Sequence, residues 1–174
     1  VLPPGQPATA SATARDRIIQ RLNETYRANP GPGSSFGCLA IGIGDGPQLI
    51  AQFGHSRHAR LLRRTAKRIG DVLRCGDLLC QMEGGHFAVA LAPVSRMSPD
   101  ALGDLAQRIQ WAVAEPLDVG GVQVRLLSAV GHCASGALPG TSGSALLAAA
   151  ERALDATRTG GPGGIRCYSP EIAC

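Results

Sequence analysis

Large aromatic side chains are scarce. Phe, Trp and Tyr make up 3% of the 174 residues, so a core must be assembled from Leu, Ile, Val and Ala. No apolar run approaches the roughly 18 residues of a membrane-spanning helix. Net charge is only +4, too mild to argue for nucleic acid; it suits an anionic small ligand and equally a solvated surface. No Cys-x-x-Cys pair occurs among the six cysteines, which argues against a zinc site. Cys38, Cys80, Cys133 and Cys167 fall in strand-like runs and read as small buried hydrophobes of a reducing cytoplasm. His55-x-x-His58 has no further ligands at metal spacing, and no cofactor or metal is expected. No signal peptide is visible and the given sequence lacks an initial Met, so a cytoplasmic piece of a longer protein is expected.

What is present suffices for one domain with a full core: 174 residues, 44% hydrophobic. Residues 1–13 are rich in Pro, Ala and Thr and read as a linker. The folded domain is expected over 14–170, with 171–174 starting an exit linker. Ile18, Ile19, Leu22 and Tyr26 share a helical face. Phe36 to Ile43 reads as a buried central strand, followed by a short helical turn over 48–53. A helix over about 56–73 buries Leu62, Ala66, Ile69 and Leu73. It exposes Arg57, Arg60, Arg63, Arg64, Lys67 and Arg68, most simply as a solvated face, with phosphate steering as the weaker alternative. Ser98-Pro99 starts a helix carrying Leu102, Leu105, Ile109 and Ala112. Leu117 to Leu127 reads as two strands around Gly120-Gly121, with Ser128 to Cys133 continuing the second. A loop over 137–144, a helix over 145–157 and a closing strand from Ile165 complete the pattern. The alternation predicts a central mixed, largely antiparallel sheet flanked by helices.

The most informative stretch runs from Arg74 to Phe87. Leu78, Leu79 and Met82 precede a turn, and Phe87 to Leu91 follows it, with Glu83-Gly84-Gly85-His86 between. A glycine pair bounded by apolar runs marks a β-hairpin. Arg74-x-x-Asp77 sits just upstream, with five residues between Asp77 and Glu83.

This arrangement resembles the GGDEF domain family, the diguanylate cyclases, whose signature occupies such a hairpin with an Arg-x-x-Asp inhibitory site five residues before it. Phe53-Gly54-His55, Ser128-Ala-Val-Gly131, Ala150-Glu-Arg-Ala-Leu154 with Arg158, and Ile165 to Pro170 extend the resemblance along the chain. It implies the nucleotidyl-cyclase-like α/β (α+β) fold. The signature slot reads Glu83, Gly84, Gly85, His86, Phe87. By the resemblance, the metal-binding carboxylates fall at Gly42, Gly85 and His86. The guanine-reading Asn and Asp fall at Ile50 and Ala59, and the phosphate-loop Lys at Pro47; only a late basic residue persists, as Arg158. Cyclase activity is therefore not expected.

The upstream site keeps Arg74 and Asp77, with Arg108 at the position of a second arginine. The resemblance implies cyclic di-GMP as ligand there, bound as a regulatory receptor module. Two alternatives stand beside it. Arg74 and Asp77 could form an ordinary surface ion pair in a structural or dimerisation module that regulates a linked EAL phosphodiesterase-like or sensory domain. Weak GTP binding at the loop 42–46 is the other. Biofilm and motility control are expectations of the family alone.

Overall fold

The structure, a computed structural model, describes residues 13–30, 35–44, 46–83, 85–160 and 163–169. Most of the expected N-terminal linker, all of the exit linker, and Gly84 lie outside the described residues.

Helix α1 (Ala14–Ala28) begins at a capping box: Thr13 Oγ1 accepts from Asp16 N–H, and the Asp16 carboxylate accepts from Thr13 N–H. Strand β1 (Gly37–Ile43) follows, then α2 (Gly46–Phe53) and α3 (His55–Val72). Strands β2 (Leu78–Gln81) and β3 (Phe87–Ala90) form the expected hairpin. Helix α4 (Pro99–Ala114) starts where Ser98 Oγ accepts from Ala101 N–H, and it stops before Pro116. Strands β4 (Leu117–Val119) and β5 (Val122–Val124) make a separate ribbon. Strand β6 (Ser128–Ala134), helix α5 (Gly143–Thr157) and strand β7 (Ile165–Cys167) close the fold.

The main sheet has the order β2-β3-β1-β6-β7. Only β6 and β7 pair in parallel. Side chains alternate across it and separate two cores. Leu39, Ile41, Val89 and Val130 pack with Leu61, Ile69, Leu102 and Ile109 on the α3/α4 side. On the other side Cys38, Ala40, Ala88 and Cys133 pack with Ile18 and Leu22 of α1 and with Leu146, Leu147 and Ala150 of α5. Phe87 is fully buried, a burial that stabilises by about 1.5–3 kcal/mol. Cys38, Cys80 and Cys133 are buried free thiols, and desolvation pushes the Cys133 thiol up to about 12.

Three expectations need correction. Residues 128–134 do not continue β5: the chain breaks at 125–127 and β6 enters the main sheet beside β1. The cause is tertiary, since β1 offers a full seven-residue partner and the short ribbon does not. On α4 the buried stripe is Leu102, Ala106, Ile109 and Val113, so Leu105 and Ala112 sit at its margin. The loop before α5 is shorter than read, because Ser142 Oγ caps the helix by accepting from Ala145 N–H, and residues 135–137 form a 3-10 turn.

Helix α5 lies so close to β6 that a Cβ at Gly131 would stand 2.1 Å from Leu154 N and 2.4 Å from Ala150 O. Backbone cannot yield as a flexible side chain can. Gly131→Ala is expected to lower stability by at least about 1–3 kcal/mol, whereas Gly136→Ala, with nothing within 4 Å, changes it little. Urea titration of both variants checks this.

Two clefts at the signature hairpin

The hairpin tip is closed by Met82 N–H donating to His86 O at 2.7 Å, and by Gly85 N–H donating to Met82 O at 3.2 Å. Gly85 has φ +91°, a conformation that only glycine adopts freely. The tip forms one wall of an open cleft of about 1140 Å³. The other walls are the end of β1 with Gly42 and Gly44, the starts of α2 and α3, and Arg158 after α5. Glu83 is the only carboxylate among the described residues lining it. No group of three or more His, Cys, Asp or Glu able to hold a metal occurs among the described residues. A hard divalent cation requires several oxygen ligands, and the side chains of the described lining residues offer one carboxylate, which does not fit it.

His86 is turned to an internal partner. Its Nε2 donates to Glu151 Oε2 at 3.1 Å, and Arg15 clasps the same carboxylate with Nη2 to Oε1 at 2.7 Å and Nη1 to Oε2 at 3.0 Å. One carboxylate thus ties α1, the hairpin tip and α5 together. The His86 hydrogen bond and then the Arg15 fork draw the Glu151 carboxyl down from 4.5 to about 2, against the opposing effect of partial burial.

The second cleft, about 260 Å³, lies on the other side of the hairpin's base. Arg74, Asp77 and Arg108 all line it, although α4 brings Arg108 from far along the chain. Asp77 is the structural member. Its side chain is 1% exposed, its Oδ2 accepts from Arg74 N–H at 2.9 Å, and its Oδ1 accepts from Ala92 N–H at 2.8 Å. Arg74 is half-exposed, reaches Ala92 O at 3.3 Å and stands 3.8 Å from Asp77. Arg108 is exposed and, among the described residues, has neither hydrogen bond nor ion pair. Leu91, Val94, Met97 and Leu105 give the cleft an apolar floor.

A family model described as "Diguanylate cyclase, GGDEF domain" matches residues 12–162. The chain belongs to the GGDEF family. It is 26% identical over 141 residues to the uncharacterized protein y4lL of Sinorhizobium fredii, covering 81% of this chain and 17% of that protein. It is also 26% identical over 159 residues to the uncharacterized Rv1354c of Mycobacterium tuberculosis, covering 91% of this chain and 25% of that protein. The chain therefore spans a quarter or less of these relatives.

Among solved structures, the GGDEF domain of Pseudomonas aeruginosa TpbB (YfiN) superposes with a TM-score of 0.78 at 22% identity, over 91% of this chain and 89% of that one. An EAL/GGDEF domain protein from M. capsulatus gives 0.73 at 26%, over 90% and 99%. The GGDEF domain of Caulobacter crescentus DgcB, solved in complex with c-di-GMP, gives 0.73 at 19%, over 87% and 86%. These likenesses establish the fold expected from the sequence.

On the GGDEF frame the positions singled out from the sequence separate cleanly. Gly42, Pro47, Ile50, Ala59, Glu83, Gly85, His86 and Arg158 line the large cleft, while Phe87 is buried in the core beneath it. Sequence reasoning missed two participants. Arg96 lines the small cleft without a hydrogen bond or ion pair among the described residues, and Glu151 holds His86. Arg96 lies in a loop outside any motif, so nothing in the sequence marks it. Glu151 stood in a quoted helix motif, but its partners are 65 and 136 residues away.

Because the Glu151 carboxyl titrates lower in the folded chain, its contribution to stability is present above about 4.5 and lost as pH falls toward about 2. Melting temperatures across this window are expected to drop for the natural chain and to change less for Glu151→Gln.

Proposed function

We propose that this domain is a degenerate GGDEF module that binds cyclic di-GMP without making it. The observation that carries the reading is the convergence of Arg74, Asp77 and Arg108 on one cleft beside the hairpin. Guanidinium forks suit both components of this ligand, pairing with phosphate oxygens or with guanine O6 and N7. In this reading Arg74, Arg108 and Arg96 meet the nucleotide. Asp77 acts chiefly by fixing the turn that presents Arg74, because its carboxylate already serves two backbone N–H groups. The apolar floor offers a surface on which a base can lie.

Absence of turnover rests on the donor set of the large cleft. A cyclase must bind triphosphate with divalent metal and activate a ribose hydroxyl. At the positions assigned to the metal carboxylates stand Gly42, Gly85 and His86, and His86 is engaged with Glu151. The binding event would then be passed to a linked domain, of which the EAL type is the expected example. The rival reading is a module that only packs against such a domain.

Calorimetric titration with cyclic di-GMP tests the proposal. Saturable binding is expected, with Arg74→Ala and Arg108→Ala each weakening it by roughly tenfold or more, the worth of a charge-assisted hydrogen bond. Asp77→Ala is a poorer probe, since it takes the acceptor from the Arg74 and Ala92 N–H groups and loosens the turn irrespective of ligand. Incubation with GTP and magnesium is expected to yield no cyclic di-GMP. Silence toward cyclic di-GMP would leave the packing module; binding of GTP that survives Arg74→Ala would point to the large cleft instead.

A further inference from the structure

Six of the chain's 17 basic residues and one of its 13 acidic residues lie on α3, so this helix carries a net +5 and the rest of the chain −1. Two of its arginines brace the fold. Arg64 donates to Asp118 O at 2.7 Å, and Arg68 donates to the carbonyls of Glu115 and Pro116, clamping the end of α4 and the β4–β5 ribbon onto α3. Arg57 and Arg60 have no such duty: neither makes a hydrogen bond or ion pair among the described residues.

These two, with Arg64, line a cavity of about 170 Å³ between α3 and the ribbon, floored by Leu61, Leu117 and Val119. The Arg57 guanidinium is laid over the ribbon's turn. A Cβ at Gly120 would stand 3.3 Å from its Cζ, so the missing side chain leaves room for the exposed cation to lie against the turn. Asp118 also lines the cavity, but its Oδ1 accepts from Gly121 N–H at 2.7 Å and no arginine comes within 4.0 Å of its carboxylate among the described residues. Three cations therefore face one carboxylate that is engaged elsewhere.

We propose that this cavity binds a phosphoryl dianion: inorganic phosphate or the terminal phosphate of a small phosphomonoester. Two unpaired guanidinium forks at i and i+3 can each donate two N–H groups to one tetrahedral oxyanion. The size agrees, because whole small-molecule ligands occupy pockets of about 300–1,000 Å³ and this one accommodates a single charged group. The apolar floor limits water on one side and strengthens the attraction. The helix's net +5 raises the local anion concentration. None of the lining residues belongs to the Arg74 cleft or to the large cleft, so the site goes beyond the reading above.

The test is titration of the natural chain with inorganic phosphate, and separately with GMP, at constant ionic strength, following arginine Nε–Hε resonances. Saturable shifts at Arg57 and Arg60 are expected. Arg57→Gln and Arg60→Gln should each weaken binding roughly tenfold or more, and Arg63→Gln, which removes the same helix charge outside the cavity, by less than about twofold. Arg74→Ala should leave it unchanged. Tighter binding of GMP than of phosphate at these residues assigns an esterified ligand; the reverse assigns the free anion. Equal weakening by all three glutamine variants would reveal a diffuse basic surface and overturn the proposal. So would unsaturable shifts, or loss of binding in Arg74→Ala.

Discussion

The close contact of α5 with β6 sets the geometry of the molecule. At Gly131 the two backbones approach to a distance that no side chain permits. This fixes the depth and register of α5 on the sheet, and α5 in turn carries Leu154 and Glu151 and leads into Arg158. Leu154 packs over Gly42, where an added Cβ would stand 3.4 Å from Leu154 Cδ1. Glu151 reaches the hairpin tip and α1, and Arg158 reaches the large cleft. One close backbone approach therefore positions both the charged network and one wall of the cleft.

The Arg15–Glu151–His86 network has a chemical consequence. In a cleft suited to metal and triphosphate, charge at the hairpin tip is open to the ligand. Here the tip's imidazole is spent on an internal carboxylate that is itself held by a bidentate arginine. Such a network rigidifies the junction of α1 with the hairpin, and α1 is the first helix among the described residues. The same carboxylate that engages His86 at the rim of the large cleft therefore links that cleft to α1.

Arginine is used in two ways across the molecule. Arg15, Arg64 and Arg68 bond to carboxylate or carbonyl oxygens of other elements and act as braces. Arg57, Arg60, Arg96 and Arg108 line cavities with no partner among the described residues. The difference depends on which carbonyls lie within reach, a matter of packing.

Local pattern determined much of this protein. The positive-φ glycine at the hairpin tip, the Ser98-Pro99 helix start and the apolar run of β1 are short-range signals, legible because backbone sterics and capping act within a few residues. So was the register of Arg74-x-x-Asp77 against the hairpin, and with it the family. Tertiary structure decided what the pattern left open. It moved 128–134 out of the ribbon because β1 offered a longer partner. It turned Asp77 from a surface anion into a buried acceptor by bringing Ala92 N–H to it. It delivered Glu151 to His86 across 65 residues and placed Arg96 beside Arg108. Contacts between distant segments arise from how helices seat on the sheet, and no window of sequence contains that information.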